Sequence, residues 1–156
     1  MAEKKVGVVP LEQARTMSGL ALLQGWCAGR LPSPPIGAFI NGDLVEVEEG
    51  RAVFEATPGT QHLNPLGAVH GGYAATLLDS CMGCAVHSTL PAGQGYTTLE
   101  LKVNLIRGIT PDTGPIRAMG TVLNVGKRVG VAEGRLLDSR GRLLAHGSTT
   151  CLVFAV

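Results

Sequence analysis

His62-Leu-Asn-Pro-Leu-Gly-Ala-Val-His70-Gly-Gly-Tyr-Ala-Ala-Thr-Leu-Leu-Asp79-Ser-Cys-Met-Gly-Cys-Ala-Val-His87 is the stretch that decides how this chain folds. From Tyr73 to Val86 it is mostly Ala, Leu, Met, Cys and Val, and no proline interrupts it before Pro91. That run is too long for an ordinary strand, so it reads as a helix over about 71–88. A helix apolar nearly all round must be covered nearly all round, and the rest of the chain offers mainly strands as cover. The expected fold class is therefore α+β, an antiparallel sheet wrapped around one long central helix. Asp79 is the anomaly, because a mid-helix carboxylate between Leu78 and Met82 is costly to desolvate unless it is hydrogen-bonded or opens on a pocket.

The flanking segments supply the sheet. Residues 36–47 read as a strand interrupted at Asn41-Gly42-Asp43, and Glu48-Glu49-Gly50 turns the chain into a second strand over 51–56. Beyond the central helix, Thr98 to Leu105 alternates, which predicts Leu99, Leu101, Val103 and Leu105 on the buried face and Thr98, Glu100, Lys102 and Asn104 on the other. Three further strands over 116–125, 129–137 and 142–154 are separated by Gly126-Lys127-Arg128 and Asp138-Ser-Arg-Gly141. Ahead of all these, residues 1–9 read as loosely held, with Val6 to Val9 able to pack locally, and Pro10 opens a single helix to about Ala28 with Met17, Leu20, Leu23 and Cys27 on its apolar face. The expected division is an N-terminal extension over 1–35 and a sheet-and-helix domain over 36–156.

Composition narrows the function. A chain of 156 residues can bury a real core as one domain. Thirteen basic and twelve acidic residues give a formal charge of +1, without the basic tail or basic-aromatic interleaving of a nucleic-acid binder. No apolar run reaches membrane-helix length and no signal-peptide core is seen, so the expectation is a cytoplasmic protein with no membrane partner. Cys27, Cys81, Cys84 and Cys151 are then expected as reduced thiols, with Cys81-Met-Gly-Cys84 serving packing rather than metal or redox chemistry.

Chemistry concentrates at two points of the helix. At Gly71 and Gly72 the backbone N–H groups of a helix start lack intrahelical acceptors, the arrangement that polarises a carbonyl, although a tight turn into the helix has the same signature. Asp79 lies eight residues on, about 12 Å along a helix that rises about 1.5 Å per residue. One subunit therefore cannot aim both at one reacting carbon. Two such helices antiparallel across a dimer could, placing Asp79 of one beside Gly71 of the other.

The run Asn64 to Gly83, with Tyr96-Thr-Thr-Leu-Glu-Leu-Lys-Val-Asn104 and Gly141-Arg-Leu-Leu-Ala-His-Gly-Ser-Thr149, resembles the hotdog-fold acyl-CoA thioesterases of the phenylacetate-degradation type, related to the 4-hydroxybenzoyl-CoA thioesterases. The resemblance covers about residues 36–154. It implies a hotdog domain, sheets joined in a homodimer, a homotetramer as the usual assembly, and hydrolysis of an acyl-CoA thioester with coenzyme A as part of the substrate and no cofactor or metal. It carries over at Asn64, His70, Gly71, Asp79 and Thr97. Gly71 N–H, with Gly72, would polarise the carbonyl, Asp79 would attack or activate water, and Asn64 and Thr97 would position water or the acid. His70 would order the glycine loop or transfer protons. Relatives with glutamate at the acid position leave nucleophile and general base both open for Asp79.

Arg128 and Lys127, with Arg107 third, are candidates for the nucleotide end of coenzyme A. Tyr73, Leu77 and Met82 suggest an apolar pocket for aryl, arylacetyl or medium-chain acyl groups. A hotdog hydratase or dehydratase, a noncatalytic acyl-CoA binding module and a purely structural oligomer are the alternatives. His62, His87 and His146 are read as core or interface residues.

Overall fold

The computed structural model describes residues 5–156. Residues 1–4 of the stretch expected to be loosely held lie outside the described residues. Three short helices come first: α1 (Leu11–Ala14), α2 (Gly19–Cys27) and α3 (Pro35–Phe39). There follow β1 (Gly42–Glu48), β2 (Arg51–Ala56), the long α4 (Gly71–His87), β3 (Gln94–Leu105), β4 (Ile116–Val125), β5 (Val129–Asp138) and β6 (Leu143–Ala155). The strands form one antiparallel sheet in the order β1-β2-β4-β5-β6-β3, with β1 and β3 at its edges. α4 packs along one face against strands from across this sheet, so that its apolar side is covered, and this is the hotdog architecture that the resemblance implies.

The core is the contact between α4 and the sheet. Leu78, Cys81, Met82, Ala85 and Val86 are fully buried against Ala118, Ala132 and Leu136 of β4 and β5. Two glycines set how closely the helix can approach. A Cβ at Gly120 would collide with the carbonyl of Cys81, and one at Gly134 would come within 2.9 Å of Met82 Cγ. Larger residues there would push α4 off the strands.

Three sequence expectations are corrected. The single N-terminal helix is two, because Ser18 takes extended geometry and accepts a hydrogen bond from Ala21 N–H, capping a new helix at Gly19. Residues 36–39 are helical rather than strand, since Pro35 stands at the first position of α3, where its fixed φ favours a helix start and its missing N–H costs nothing. On β3, Leu99 is 61% and Leu105 59% exposed. The cause at Leu99 is a bulge: Thr98 pairs with Cys151 and Glu100 with Thr150, so Leu99 is an extra residue and the inward parity changes across it. Thr98 then faces inward before the bulge, and Leu101 and Val103 pack on the core after it.

The extension is fastened to the sheet by polar groups. Trp26 Nε1 donates to Asp43 Oδ1 at 2.7 Å and to Ser33 Oγ at 3.0 Å, and its ring meets Phe54 edge-on with centroids 5.5 Å apart. α2 is thereby held against β1.

Candidate active site

Asp79 stands on the half-exposed face of α4, beside the edge strand β3. Thr98 Oγ1 donates to Asp79 Oδ1 at 2.8 Å, and among the described residues no second group donates to this carboxylate. A charged acceptor with one oxygen held and the other available is positioned rather than buried as a structural ion. The hydroxyl on the acid is that of Thr98, whereas the family resemblance pointed to Thr97. Thr97 lies next to it on β3, exposed, paired with Leu152. The signal missed was the β3 bulge, without which Thr98 reads as a solvent-facing residue.

The glycine end is a built turn. His70 is the N-cap of α4, and its Nδ1 accepts the Gly72 N–H at 2.9 Å, which places the ring's own proton on Nε2. The Gly72 N–H is thus committed. Gly71, the first helical residue, keeps an N–H without an acceptor among the described residues. A Cβ at Gly71 would lie 2.7 Å from Leu105 Cδ1, so the absence of a side chain keeps the approach to this N–H open.

Asn64, His70, Gly71 and Arg107 line one cavity of about 240 Å³ with Leu105 and Ile109. Asn64 Oδ1 accepts from the N–H groups of Leu66 at 2.9 Å and Ala68 at 3.1 Å, which shapes the loop and leaves its Nδ2 donors uncommitted among the described residues. Arg107 is therefore the basic candidate that shares a cavity with Gly71. Lys127 and Arg128 are exposed in the β4–β5 turn, where the Arg128 carbonyl accepts from Val153 N–H on β6, toward the end of the sheet that carries Thr97 and Thr98.

Leu77 and Met82, expected to line an acyl pocket, are buried in the core between α4 and its neighbours. Tyr73 borders a separate groove of about 390 Å³ with Phe39, His70, Gly72 and Thr76, while its hydroxyl donates to the Ile40 carbonyl at 2.9 Å. His62 is committed to structure: its Nδ1 accepts the Gly59 N–H, its Nε2 lies 3.0 Å from the Phe39 carbonyl, and its ring packs on Tyr73. Burial pushes the thiol of Cys84 up to about 12 and that of Cys81 higher still, so both are inert packing groups at neutral pH.

Residues 66–145, just over half of the chain, match the model of the thioesterase superfamily, and the chain belongs to that superfamily. Among sequence relatives, a provisionally named esterase of Halobacterium salinarum is 43% identical over 76 residues, 47% of this chain and 48% of that protein. The chain thus spans about half the length of that relative. Another provisionally named esterase, from Saccharolobus solfataricus, is 30% identical over 105 residues, 67% of this chain and 73% of its own. Among solved structures, a phenylacetic acid degradation-related protein of Ralstonia eutropha, provisionally named a thioesterase, superposes with a TM-score of 0.75 at 26% identity, over 83% of this chain and 98% of its own.

Proposed function

We propose that this chain is an acyl-CoA thioesterase that hydrolyses aryl-, arylacetyl- or medium-chain acyl-CoA to the free acid and coenzyme A, with its site assembled across a homodimer. The observation that carries this is the separation of two complementary half-sites on one helix. Gly71 offers an open N–H at the start of α4, and Asp79 offers a positioned carboxylate about 12 Å further on. Antiparallel apposition of two α4 helices supplies both to one carbonyl carbon. The free edge of β3 lies beside Asp79 and exposes Leu99 and Leu105, and a long unpaired edge of this kind is covered by pairing with a second copy. Two such dimers would form a homotetramer.

In the mechanism the thioester oxygen accepts the Gly71 N–H, whose partial positive charge stabilises the developing oxyanion. Asp79 of the partner subunit, oriented by its own Thr98, takes a proton from water as that water attacks the carbonyl carbon, or attacks the carbon itself to give an anhydride that water then opens. Either course breaks the C–S bond and releases the coenzyme A thiol. Asn64 donates through Nδ2 to the water or the substrate, Thr97 on the exposed edge contributes from the partner side, and His70 keeps the glycine turn in shape. Arg107 meets the pantetheine or phosphate portion beside Gly71, and Lys127 and Arg128 meet the nucleotide. Both alternative acyl-thioester readings are disfavoured, since His62 is spent on backbone groups and a binding module has no use for a positioned carboxylate.

A free-thiol assay over a panel of acyl-CoAs, run with light scattering, tests this. Thiol release with aryl and medium-chain substrates outranking dicarboxylic ones, by a species no smaller than a dimer, is the expected result. A monomer that still turns over substrate would sink the shared-site mechanism.

A further inference from the structure

A cavity of about 210 Å³ lies under the N-terminal extension, away from the glycine turn, bounded by Ala14, Leu22, His87, Tyr96 and Phe154. Of its lining residues, His87 belongs to α4 and Tyr96 packs against it. Asp79, Gly83 and His87 follow at i, i+4 and i+8, so they lie in one row along the helix. Tyr96 crosses that row at its middle: a Cβ at Gly83 would meet the Tyr96 ring and hydroxyl at 2.7 Å, and the ring lies 5.4 Å from that of His87. Thr98, which holds Asp79, is two residues further along the same strand and on the same inward side as Tyr96.

In the shared site proposed above, the acyl group would run along this row. There the partner's glycine end would cover α4 from Gly71 to Asp79, and coenzyme A would approach through the cavity that holds Asn64 and Arg107. What continues beyond the acid is Ser80, Gly83 and His87. From Asp79 to Gly83 the helix rises about 6 Å, the length of a single aromatic ring, before the Tyr96 side chain closes the way.

We propose that Tyr96 is a specificity-determining residue that ends the acyl pocket, and that the cavity beneath α1 and α2 is the room its ring withholds from longer acyl chains. The inference rests on the thioesterase reading above and sharpens it: compact aryl groups fit wholly between Asp79 and Tyr96, whereas an extended medium chain fits less well and ranks below them. The glycine at 83 belongs to the same device, because a side chain there would displace the ring.

Chain-length profiles of kcat/KM for the full-length protein test it, on benzoyl-, phenylacetyl- and straight-chain acyl-CoAs up to dodecanoyl. The parent should prefer aryl groups. Tyr96→Ala, and Tyr96→Leu as the variant that keeps apolar cover over Gly83, should raise the ratio of decanoyl to benzoyl turnover by roughly tenfold or more, the order that pocket shape alone supplies. Tyr96→Phe, which keeps the ring, should leave the profile as it was. Ala14→Phe, filling the cavity from the extension, should cancel the gain in the Tyr96→Ala background and leave benzoyl turnover unchanged. A parent active on aryl thioesters whose length profile is the same in Tyr96→Ala and Tyr96→Leu would overturn the role of Tyr96 alone. A parent that hydrolyses no acyl-CoA would overturn the thioesterase reading and this one with it.

Discussion

The two faces of α4 obey different rules. One carries Leu77, Leu78, Cys81, Met82 and Ala85, each at most 1% exposed, with glycines on β4 and β5 admitting the helix to close range. The other carries Gly72, Ala75, Thr76, Asp79 and Ser80, small or polar and all at least partly exposed. The first face is complete within one subunit, since its apolar surface is removed from water by the strands beneath it. The second is incomplete: it borders a free sheet edge and holds a carboxylate with a single donor. A helix buried on every side would have no place for Asp79, and one exposed on a whole face would not need so many small residues. The division between folding and chemistry thus runs along the axis of a single helix, and substitutions on the two faces should fail in different ways.

The largest effect is expected on the open face. Asp79→Asn keeps side-chain volume and can still accept from Thr98, but the amide is neither nucleophile nor effective base. Turnover should fall roughly 10² to 10⁴-fold with little change in substrate affinity, assembly or melting temperature. Mixing this variant with one impaired at Gly71 should recover activity, because a heterodimer regains one intact shared site. A fully active Asp79→Asn homodimer would return the acid to a structural role and erase the contrast between the faces.

Leu78→Ala, one position earlier but on the closed face, should do the reverse. It empties a fully buried site between α4 and β5, for a loss of about 2–5 kcal/mol read by denaturant unfolding, while the folded fraction keeps its kcat. Loss of kcat out of proportion to loss of folded protein would mean that the two faces are coupled.

How much of this was legible in the sequence also divides by face. The run from Gly71 to His87 and the strands after it show in hydrophobic periodicity, since packing within one subunit imposes that pattern. The small residues of the other face carry no such period, because they do not pack against the chain's own sheet. Asp79 was legible as an expense without a visible return, and Gly71 and His70 as a helix start. Thr98 was not, because one extra residue at Leu99 changes which side chains face inward, and alternation alone cannot announce a bulge. The break at Ser18 and the helical turn from Pro35 did leave local signals, a capping serine and a proline at a first helical position, which the surrounding apolar residues masked.

Thr98→Val sharpens the contrast at smaller scale. The hydroxyl acts through Asp79, so its loss should lower kcat by roughly tenfold, in line with a hydrogen bond to a charged group, while KM changes little. Thr98→Ser should restore most of the rate. A purely structural hydroxyl would instead lower the melting temperature without a selective loss of kcat, and serine rescue of rate would then have no basis.

The smallest effect is expected at the far end of the helix, where His87 is packed against Tyr96. Burial lowers its pKa below the usual 6.5, because the charged imidazolium is poorly solvated there. The unfolded chain therefore binds a proton at a higher pH than the native one does. Below about pH 6.5 the unfolded state holds more protons, and stability falls as pH is lowered toward the native pKa, below which no more is lost from this residue. The slope from one such group cannot exceed about 1.4 kcal/mol per pH unit. Carboxylates such as Glu46, held below the usual range by Arg117, respond only in more acidic solution, and comparison with a variant lacking the ring separates His87 from the other three histidines. Chemical denaturation of the parent and of His87→Gln at pH 7 and pH 5.5 should show a smaller acid-induced loss in the variant, whatever its stability at pH 7. Equal losses would place His87 in contact with solvent, and the row from Asp79 through Gly83 would then end in open water rather than beneath the extension.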